Sequence, residues 1–164
     1  MLKEDSTPLE EISFILSNIE KHYLEKEGSL RNSIIHADPK LQNILFQKGK
    51  AIAFIDFDTV MRGSYLIDLG DGLRSLYKIN NKFSEELFSA CLKGYRSEIE
   101  IPHTDDEIKS AIGLFSLELA ARYCKNYFDQ SYFPWDQDNY PSVKKQNLEN
   151  ARKCIEYYKT ILLT

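Results

Sequence analysis

The sequence predicts an α+β domain that is mostly α-helical and carries one small β-hairpin. Apolar residues recur at helical spacing over several separate stretches, and residues 47–50 form a turn between two short apolar runs. The chain has 164 residues, of which 43% are hydrophobic. That length and apolar content suit a single globular domain, residues 1–164, with a buried core.

The first helix is predicted to begin at Thr7, which serves as N-cap, with Pro8 in the first turn and Glu10 three residues later. Apolar side chains then follow at helical spacing as far as Gly28, namely Ile12, Ile15, Ile19 and Tyr23. Residues 34–56 are predicted to form two short strands and the polar loop that precedes them.

The rest of the chain is predicted to be mostly helical. Asp68 begins a short helix as its N-cap, a second helix starts at Ser84, and residues 104–107 form a capping box. The expected core positions of these helices and of the last one are Leu69, Leu73, Leu76, Leu87, Cys91, Leu92, Tyr95, Ile99, Ile108, Ile112, Phe115, Leu119, Tyr123, Leu148, Ala151, Ile155, Tyr158 and Leu162. Residues 127–141 are rich in aromatic residues, Asp and Pro, which is typical of a loop.

Composition limits the classes of function. A net charge of −4 gives no field for gathering polyanions, so we expect no nucleic-acid partner. Neither a bilayer-spanning apolar run nor a signal-peptide core is present, so we expect no membrane association. Cys91, Cys124 and Cys154 are odd in number and lie on apolar helical stripes, which predicts buried, reduced thiols and a cytoplasmic location.

One polar loop carries most of the functional signal. His36, Asp38, Lys40 and Asn43 form an H-x-D-x-K-x-x-N pattern between apolar residues, and a second strand then ends at Asp56. Phosphoryl transfer of the kinase type requires such a set. One carboxylate meets the acceptor hydroxyl, while an Asn five residues later and a carboxylate on a neighbouring strand end hold a metal ion.

Residues 34–74 resemble the aminoglycoside phosphotransferase and choline kinase superfamily. The segments I-D-x-D-T-V-M and D-x-G-D-x-x-R, from residue 55 and residue 68, most resemble its bacterial N-acetylhexosamine 1-kinase branch. Residues 121–133 and 147–152 resemble that branch less specifically. The resemblance implies a protein-kinase-like C-terminal lobe, with a catalytic and metal-binding core at about 34–74 and an acceptor-binding helical part at about 82–164.

In this interpretation Asp38 is the catalytic base that accepts the proton of the acceptor hydroxyl, and Lys40 offsets charge on the transferring phosphoryl group. Asn43 and Asp56 are expected to ligate Mg²⁺ through oxygen, with ATP as co-substrate. In a purely structural interpretation, by contrast, Asp38 and Asn43 are turn residues. Lys40 is then solvated, and Asp56 is a strand-end cap.

Three further residues have supporting or ambiguous roles. His36 is expected to serve the loop structurally, because this chemistry needs no imidazole at that point. The resemblance implies that Asp68 braces the catalytic loop through hydrogen bonds. Asp58 is a candidate either as a second metal-side carboxylate or as an acceptor for a sugar hydroxyl.

The resemblance also places Arg122 and Tyr132 at the substrate. A guanidinium fork can bind hydroxyls or an acetamido carbonyl, and an aromatic face can cover a pyranose ring. The expected partner is therefore a small polar acceptor, with an N-acetylhexosamine as the leading candidate. Choline, ethanolamine or an aminoglycoside would use the same catalytic set. The acidic loop at residues 136–138 either suits such a cation or is a solvated turn.

Two rival classes fail on spacing. Residues 55–60 also fit the D-x-D-x-[TV] nucleophile motif of haloacid-dehalogenase-type phosphatases, and residues 69–72 resemble a later motif of that family. Those motifs must end different parallel strands, which needs a crossover far longer than the short loop between them. Protein kinases need a long segment ending near A-P-E to dock peptides, and residues 56–68 contain none.

The nucleotide-holding half of a kinase is expected to be absent. Its phosphate-covering loop, strand Lys and helix Glu should precede the catalytic loop, yet only about 35 residues do so, and they read as helical. A separate nucleotide-binding lobe is thus a candidate partner, and the isolated chain is expected to be weakly active or inactive. A remnant lobe that only binds the acceptor is the non-enzymatic alternative.

Overall fold

The computed structural model describes residues 7–22, 33–76 and 82–161 and confirms a mostly helical α+β fold with small antiparallel β elements. In chain order, the elements of the described part are α1 (Leu9–Ile19), β1 (Ser33–Ile35), β2 (Ile44–Gln47), β3 (Lys50–Phe54), β4 (Met61–Gly63), α2 (Tyr65–Ser75), α3 (Glu85–Glu98), α4 (Asp105–Asp129) and α5 (Val143–Ile161). Short 3₁₀ turns occupy Leu41–Asn43 and Phe57–Thr59.

The core is built around α4, because α1, α2 and α5 all pack against it. Helix α4 is apolar around much of its circumference, as a helix enclosed by others must be. The hydrophobic residues of α4 and α5 without any exposed surface are Ile108, Ala111, Ile112, Leu117, Ala120, Ala151 and Tyr158.

Side-chain caps begin α2, α3 and α4, although the cap of α2 is not the predicted one. The predicted N-cap at Ser84 is confirmed, and so is the capping box in which Thr104 and Glu107 bond each other's backbone N–H groups. The hydrogen bonds from Thr104 lower the pKa of Glu107. Asp68 is not an N-cap, because Ser64 caps α2 four residues earlier and leaves Asp68 in the first turn.

Helix α1 differs from its prediction at both ends. Thr7 does not cap it, since the Thr7 backbone carbonyl, and not its hydroxyl, accepts the N–H of Leu9. The helix ends at Ile19 with tightened i→i+3 bonds that bring His22 into the core. The predicted positions Tyr23, Gly28 and Leu162 lie outside the described residues.

The expected loop over residues 127–141 begins later than predicted. Helix α4 continues to Asp129, and Tyr127 is buried on it. The chain then turns at Gln130, which adopts a left-handed conformation with φ 51°.

Two separate antiparallel pairs form the β structure. The predicted hairpin is confirmed as β2 and β3, joined by Lys48 and Gly49, which have φ values of 51° and 77°. The sequence did not predict the pairing of β1 with β4, which sets Ile35 opposite Met61. None of the described helices is long and apolar enough to cross a bilayer.

All three cysteines lie in the described part of the chain, and none of them forms a disulfide. The predicted burial is confirmed for Cys124 and Cys154, while Cys91 is half-buried. Burial raises the pKa of Cys124 to about 11, so that this thiol stays protonated at neutral pH.

Gly70 allows α2 to approach α4 closely. A Cβ atom at this position would lie 2.7 Å from Cδ2 of Phe115 and 3.0 Å from the Cβ of Ala111. Gly70→Ala is therefore expected to lower the free energy of unfolding by about 1–3 kcal/mol. Gly94→Ala on α3 is the matched control, because a Cβ there meets no atom within 4 Å. The control should gain about 0.5–1 kcal/mol from helix propensity, and urea unfolding measures both. Equal changes in the free energy of unfolding for the two variants would contradict the close packing of α2 against α4 at Gly70.

His22 should make the fold sensitive to acid. Its ring contacts the Ser110 hydroxyl at 2.9 Å and the Tyr158 hydroxyl at 2.8 Å, and burial is the main cause that lowers its pKa below 6.5. As the pH falls through 6.5, the unfolded chain takes up a proton that the native state resists, and stability is lost. Thermal unfolding at about pH 8 and about pH 5.5 should show a larger loss for the wild type than for His22→Gln. An equal loss of thermal stability in the wild type and in His22→Gln between these pH values would refute this role of His22.

Candidate active site

The polar loop predicted from the sequence connects β1 to β2 and is held by α2. The carboxylate of Asp68 accepts the backbone N–H of His36 on Oδ2 and that of Ala37 on Oδ1, both at 2.8 Å. These two bonds hold Ala37 in the left-handed conformation, φ 63°, which an alanine adopts only under constraint. Asp68 thus fixes the start of the loop.

Two more residues on the same face of α2 contact the loop further along. Gly72 packs under Pro39, where a Cβ atom would lie 3.3 Å from the Pro39 carbonyl oxygen. The Ser75 hydroxyl accepts the N–H of Leu41 at 2.9 Å and donates to the carbonyl of Gly72 at 2.6 Å. Helix α2 therefore positions the loop at three successive points.

The structure brings Asp38, Asn43 and Asp56 together. Asn43 is 5% exposed, and its side-chain nitrogen donates to the backbone carbonyl of Asp38 at 2.9 Å and to Oδ2 of Asp38 at 3.1 Å. The same nitrogen lies 3.4 Å from Oδ2 of Asp56. Two carboxylates and one amide from different elements thus meet at one point.

Contacts of the neighbouring residues with the polar loop fix Asp56 in this position. The Asn43 carbonyl accepts the N–H of Ile55 at 3.0 Å, and Nε2 of His36 contacts the Ile55 carbonyl at 3.0 Å. Asp56 itself is left-handed, with φ 68°. Thr59 donates its hydroxyl to the His36 carbonyl at 2.7 Å and ties the following turn back to the loop.

The arrangement suits a divalent cation. The Asn43 amide nitrogen bonds the Asp38 carbonyl and faces Asp56, so the Asn43 amide oxygen and the Asp56 carboxylate are the oxygen atoms that would bind an ion. Mg²⁺ prefers such oxygen ligands and keeps several waters of its own. Asp58 is exposed in the turn Phe57–Thr59. Among the described residues, no three His, Cys, Asp or Glu side chains are grouped to hold a metal, so Asp58 does not complete an all-carboxylate site.

Asp38 faces a polar cavity of about 330 Å³ between the loop and α4. The predicted substrate residues Arg122 and Tyr132 line the same cavity, whereas Asp58 and residues 136–138 do not. The lining consists of Ala37, Asp38, Lys40, Gln42, Thr59, Asp71, Arg74, Ser75, Phe115, Glu118, Leu119, Arg122, Tyr123, Tyr132 and Phe133.

Ion pairs hold the charged side chains of this cavity. Nζ of Lys40 lies 2.5 Å from Oδ2 of Asp38, and Nε of Arg122 lies 2.5 Å from Oε1 of Glu118. Partial burial lowers the pKa of Arg122, but Glu118 and Tyr132 raise it, and its pKa lies above the ordinary value. Arg122 is therefore a permanent cation in the cavity wall.

Aromatic rings form the far wall. Tyr123 stacks on Phe133 with centroids 4.3 Å apart, and Tyr132 meets Phe133 edge-on at 4.8 Å. Burial is the main cause that raises the pKa of Tyr123 to about 12, so its hydroxyl stays a neutral donor.

Sequence reasoning did not single out Asp71, Arg74, Glu118 or Ser75 as lining residues. Only the fold brings α2 and α4 to the same cavity. A weak signal existed in the D-x-G-D-x-x-R segment, whose second Asp and whose Arg are Asp71 and Arg74. Helical spacing places these two on one face.

A helical lobe with this loop, hairpin and pair of carboxylates is of the kinase-like class. The model of the phosphotransferase enzyme family matches residues 2–103, more than half of the chain, and the chain belongs to that family. It is also 32% identical, over 98 residues, to a homoserine kinase of Neisseria meningitidis serogroup B. That match covers 58% of this chain and 30% of the relative, so the chain spans about a third of the relative's length.

The Ser75 hydroxyl is expected to hold the middle of the loop. Ser75→Ala leaves the Leu41 N–H without its acceptor, a loss of roughly 1–1.5 kcal/mol that corresponds to about tenfold faster local exchange. Hydrogen exchange at the Leu41 amide measures it. Ser97→Ala is the matched control, because the Ser97 hydroxyl likewise donates to a carbonyl three residues back, on α3. Unchanged Leu41 exchange in Ser75→Ala would contradict the assignment.

Proposed function

We propose that this chain is the acceptor-binding and catalytic lobe of an ATP-dependent phosphotransferase that acts on a hydroxyl of a small polar molecule. The convergence of Asp38, Asn43 and Asp56 carries the proposal, since phosphoryl transfer needs this set. Residues 34–74 supply the catalytic and metal-binding core. Residues 82–164 supply the remaining walls of the acceptor cavity, through Glu118, Arg122 and Tyr132 on and after α4.

In the proposed reaction the acceptor hydroxyl lies beside Asp38. Its oxygen forms a bond to the γ-phosphorus of ATP, the bond from that phosphorus to the bridging oxygen of ADP breaks, and the hydroxyl proton passes to Asp38. Lys40 lies close enough to Asp38 to offset negative charge on the transferring group. When bound by Asn43 and Asp56, Mg²⁺ would neutralise the phosphates.

The proposed acceptor is an amino sugar such as an N-acetylhexosamine. A cavity of about 330 Å³ has room for a monosaccharide, and its stacked aromatic wall suits a pyranose ring. Arg122 uses Nε for Glu118 and has other donors for hydroxyl or carbonyl oxygens. L-Homoserine is a second candidate, on the likeness to a homoserine kinase. Choline, ethanolamine and aminoglycosides are further alternatives.

A nucleotide-binding lobe is the proposed partner, carried on this polypeptide or on another. Large apolar side chains are exposed on the strands and the turn after them, among them Ile34 (76%), Ile52 (58%) and Phe57 (59%). Apolar clusters of this kind usually mark an interaction surface. The described chain alone is therefore proposed to be weakly active or inactive. If it binds acceptor without transfer, it is a remnant binding module. A cytoplasmic location is part of the proposal, supported by cysteines that form no disulfide in the described residues and by the need for ATP.

Asp38→Asn tests the reaction. With the γ-phosphate of ATP radiolabelled, protein in excess and Mg²⁺ present, the wild type should slowly label N-acetylglucosamine. Removal of the base should slow labelling about a hundredfold or more. Asp138→Asn, in an exposed loop, is the matched control and should label like the wild type.

Two results would count against the account. Labelling that survives Asp38→Asn would contradict the phosphotransferase proposal, and acceptor binding without labelling of any candidate alcohol would favour the remnant binding module instead. Turnover by the wild type at about 1–100 per second would instead contradict only the need for a partner lobe.

A further inference from the structure

The acceptor cavity carries a balanced set of charges. Six of the described residues in its wall are charged, three acidic and three basic, and each acid is paired with a base. The pairs are Asp38–Lys40, Asp71–Arg74 and Glu118–Arg122. The formal charge of the wall is therefore zero.

The Asp71–Arg74 pair lies deepest. The Arg74 side chain is 9% exposed, and both its Nε, at 2.9 Å, and its Nη2, at 2.6 Å, donate to the same oxygen, Oδ1 of Asp71. Buried charges in proteins are generally paired, as the Arg74 guanidinium is here. Oδ2 of Asp71 is then the atom that can accept a hydroxyl or N–H group of the acceptor.

The Glu118–Arg122 pair lies at the opposite wall and is more open. The Arg122 side chain is 51% exposed, and Glu118 bonds only its Nε. The cavity thus offers an acceptor oxygen at one wall and guanidinium donors at the other, with no surplus charge of either sign.

A surplus charge is what binds an ion. A monovalent cation or anion entering this cavity would leave water and find its counter-charge already paired, so it would gain little. A polar molecule without net charge loses less hydration and can use both hydrogen-bonding walls.

On the basis of the proposed function, we infer that the acceptor carries no net charge and that Asp71 binds one of its hydrogen-bond donors beside the reacting hydroxyl. The wall excludes quaternary amines and phosphorylated acceptors. N-acylated sugars and zwitterions remain within the accepted class.

Charge-switch variants test this inference without any need for turnover. Calorimetry would compare three probes on the full chain: N-acetylglucosamine, choline and glucose 6-phosphate. The wild type should bind N-acetylglucosamine best. Arg122→Gln leaves the wall with one surplus negative charge. It should raise the affinity for choline relative to that for N-acetylglucosamine about fivefold. Glu118→Gln should raise the relative affinity for glucose 6-phosphate by a similar factor.

Lys125→Gln is the matched control. Lys125 lies on the same helix, its side chain is 76% exposed and it pairs with Asp129 outside the cavity. This variant should leave the probe ratios unchanged. Asp71→Asn should weaken N-acetylglucosamine binding, and an unchanged circular dichroism spectrum would show that the fold persists.

The inference is overturned if the wild type prefers choline or glucose 6-phosphate, if none of the probes binds, or if the two charge switches fail to move the ratios in opposite directions. Labelling of choline by radioactive ATP would overturn it while leaving the phosphotransferase proposal intact. Selective binding of N-acetylglucosamine with no phosphoryl transfer would contradict the phosphotransferase proposal while leaving this inference intact.

Discussion

The arrangement of the site depends on one carboxylate that receives two backbone N–H groups. Asp68 on α2 holds both His36 and Ala37 and so determines where the chain leaves β1. Because Ala37 is left-handed, the loop turns sharply and presents Asp38 towards α4. Without that tie, nothing else in α2 would constrain the start of the loop, since Gly72 and Ser75 contact it further along.

A second constraint is the concentration of like charges. Asp38 and Asp56 are close enough for one Asn43 nitrogen to reach both, and like charges at that distance repel. Lys40 relieves the repulsion on the Asp38 side, and a divalent cation would relieve it at Asp56. The left-handed conformation of Asp56 adds strain at the same point, as is common where a site is preorganised for a ligand.

Local patterns predicted the helices, the hairpin and the spacing of the loop, because each depends on neighbours in the chain. The start of α2 was misplaced because Ser64 and Asp68 are both acceptable caps, and only the tertiary bonds of Asp68 choose between them. The pairing of β1 with β4 and the cavity ion pairs join distant segments. Such contacts leave little trace in a single sequence, so Asp71 and Glu118 became visible only in three dimensions.

The most direct test of a shared cation site uses Mn²⁺, which replaces Mg²⁺ at oxygen ligands and broadens nearby amide signals in NMR spectra. Titration of the full chain should first broaden the amides of Asp38 and of residues 40–43 and 55–57, and Asn43→Ala should abolish that selectivity. Broadening centred instead on the acidic first turn of α4, or spread evenly over the molecule, would show that Asp38, Asn43 and Asp56 do not bind a common ion.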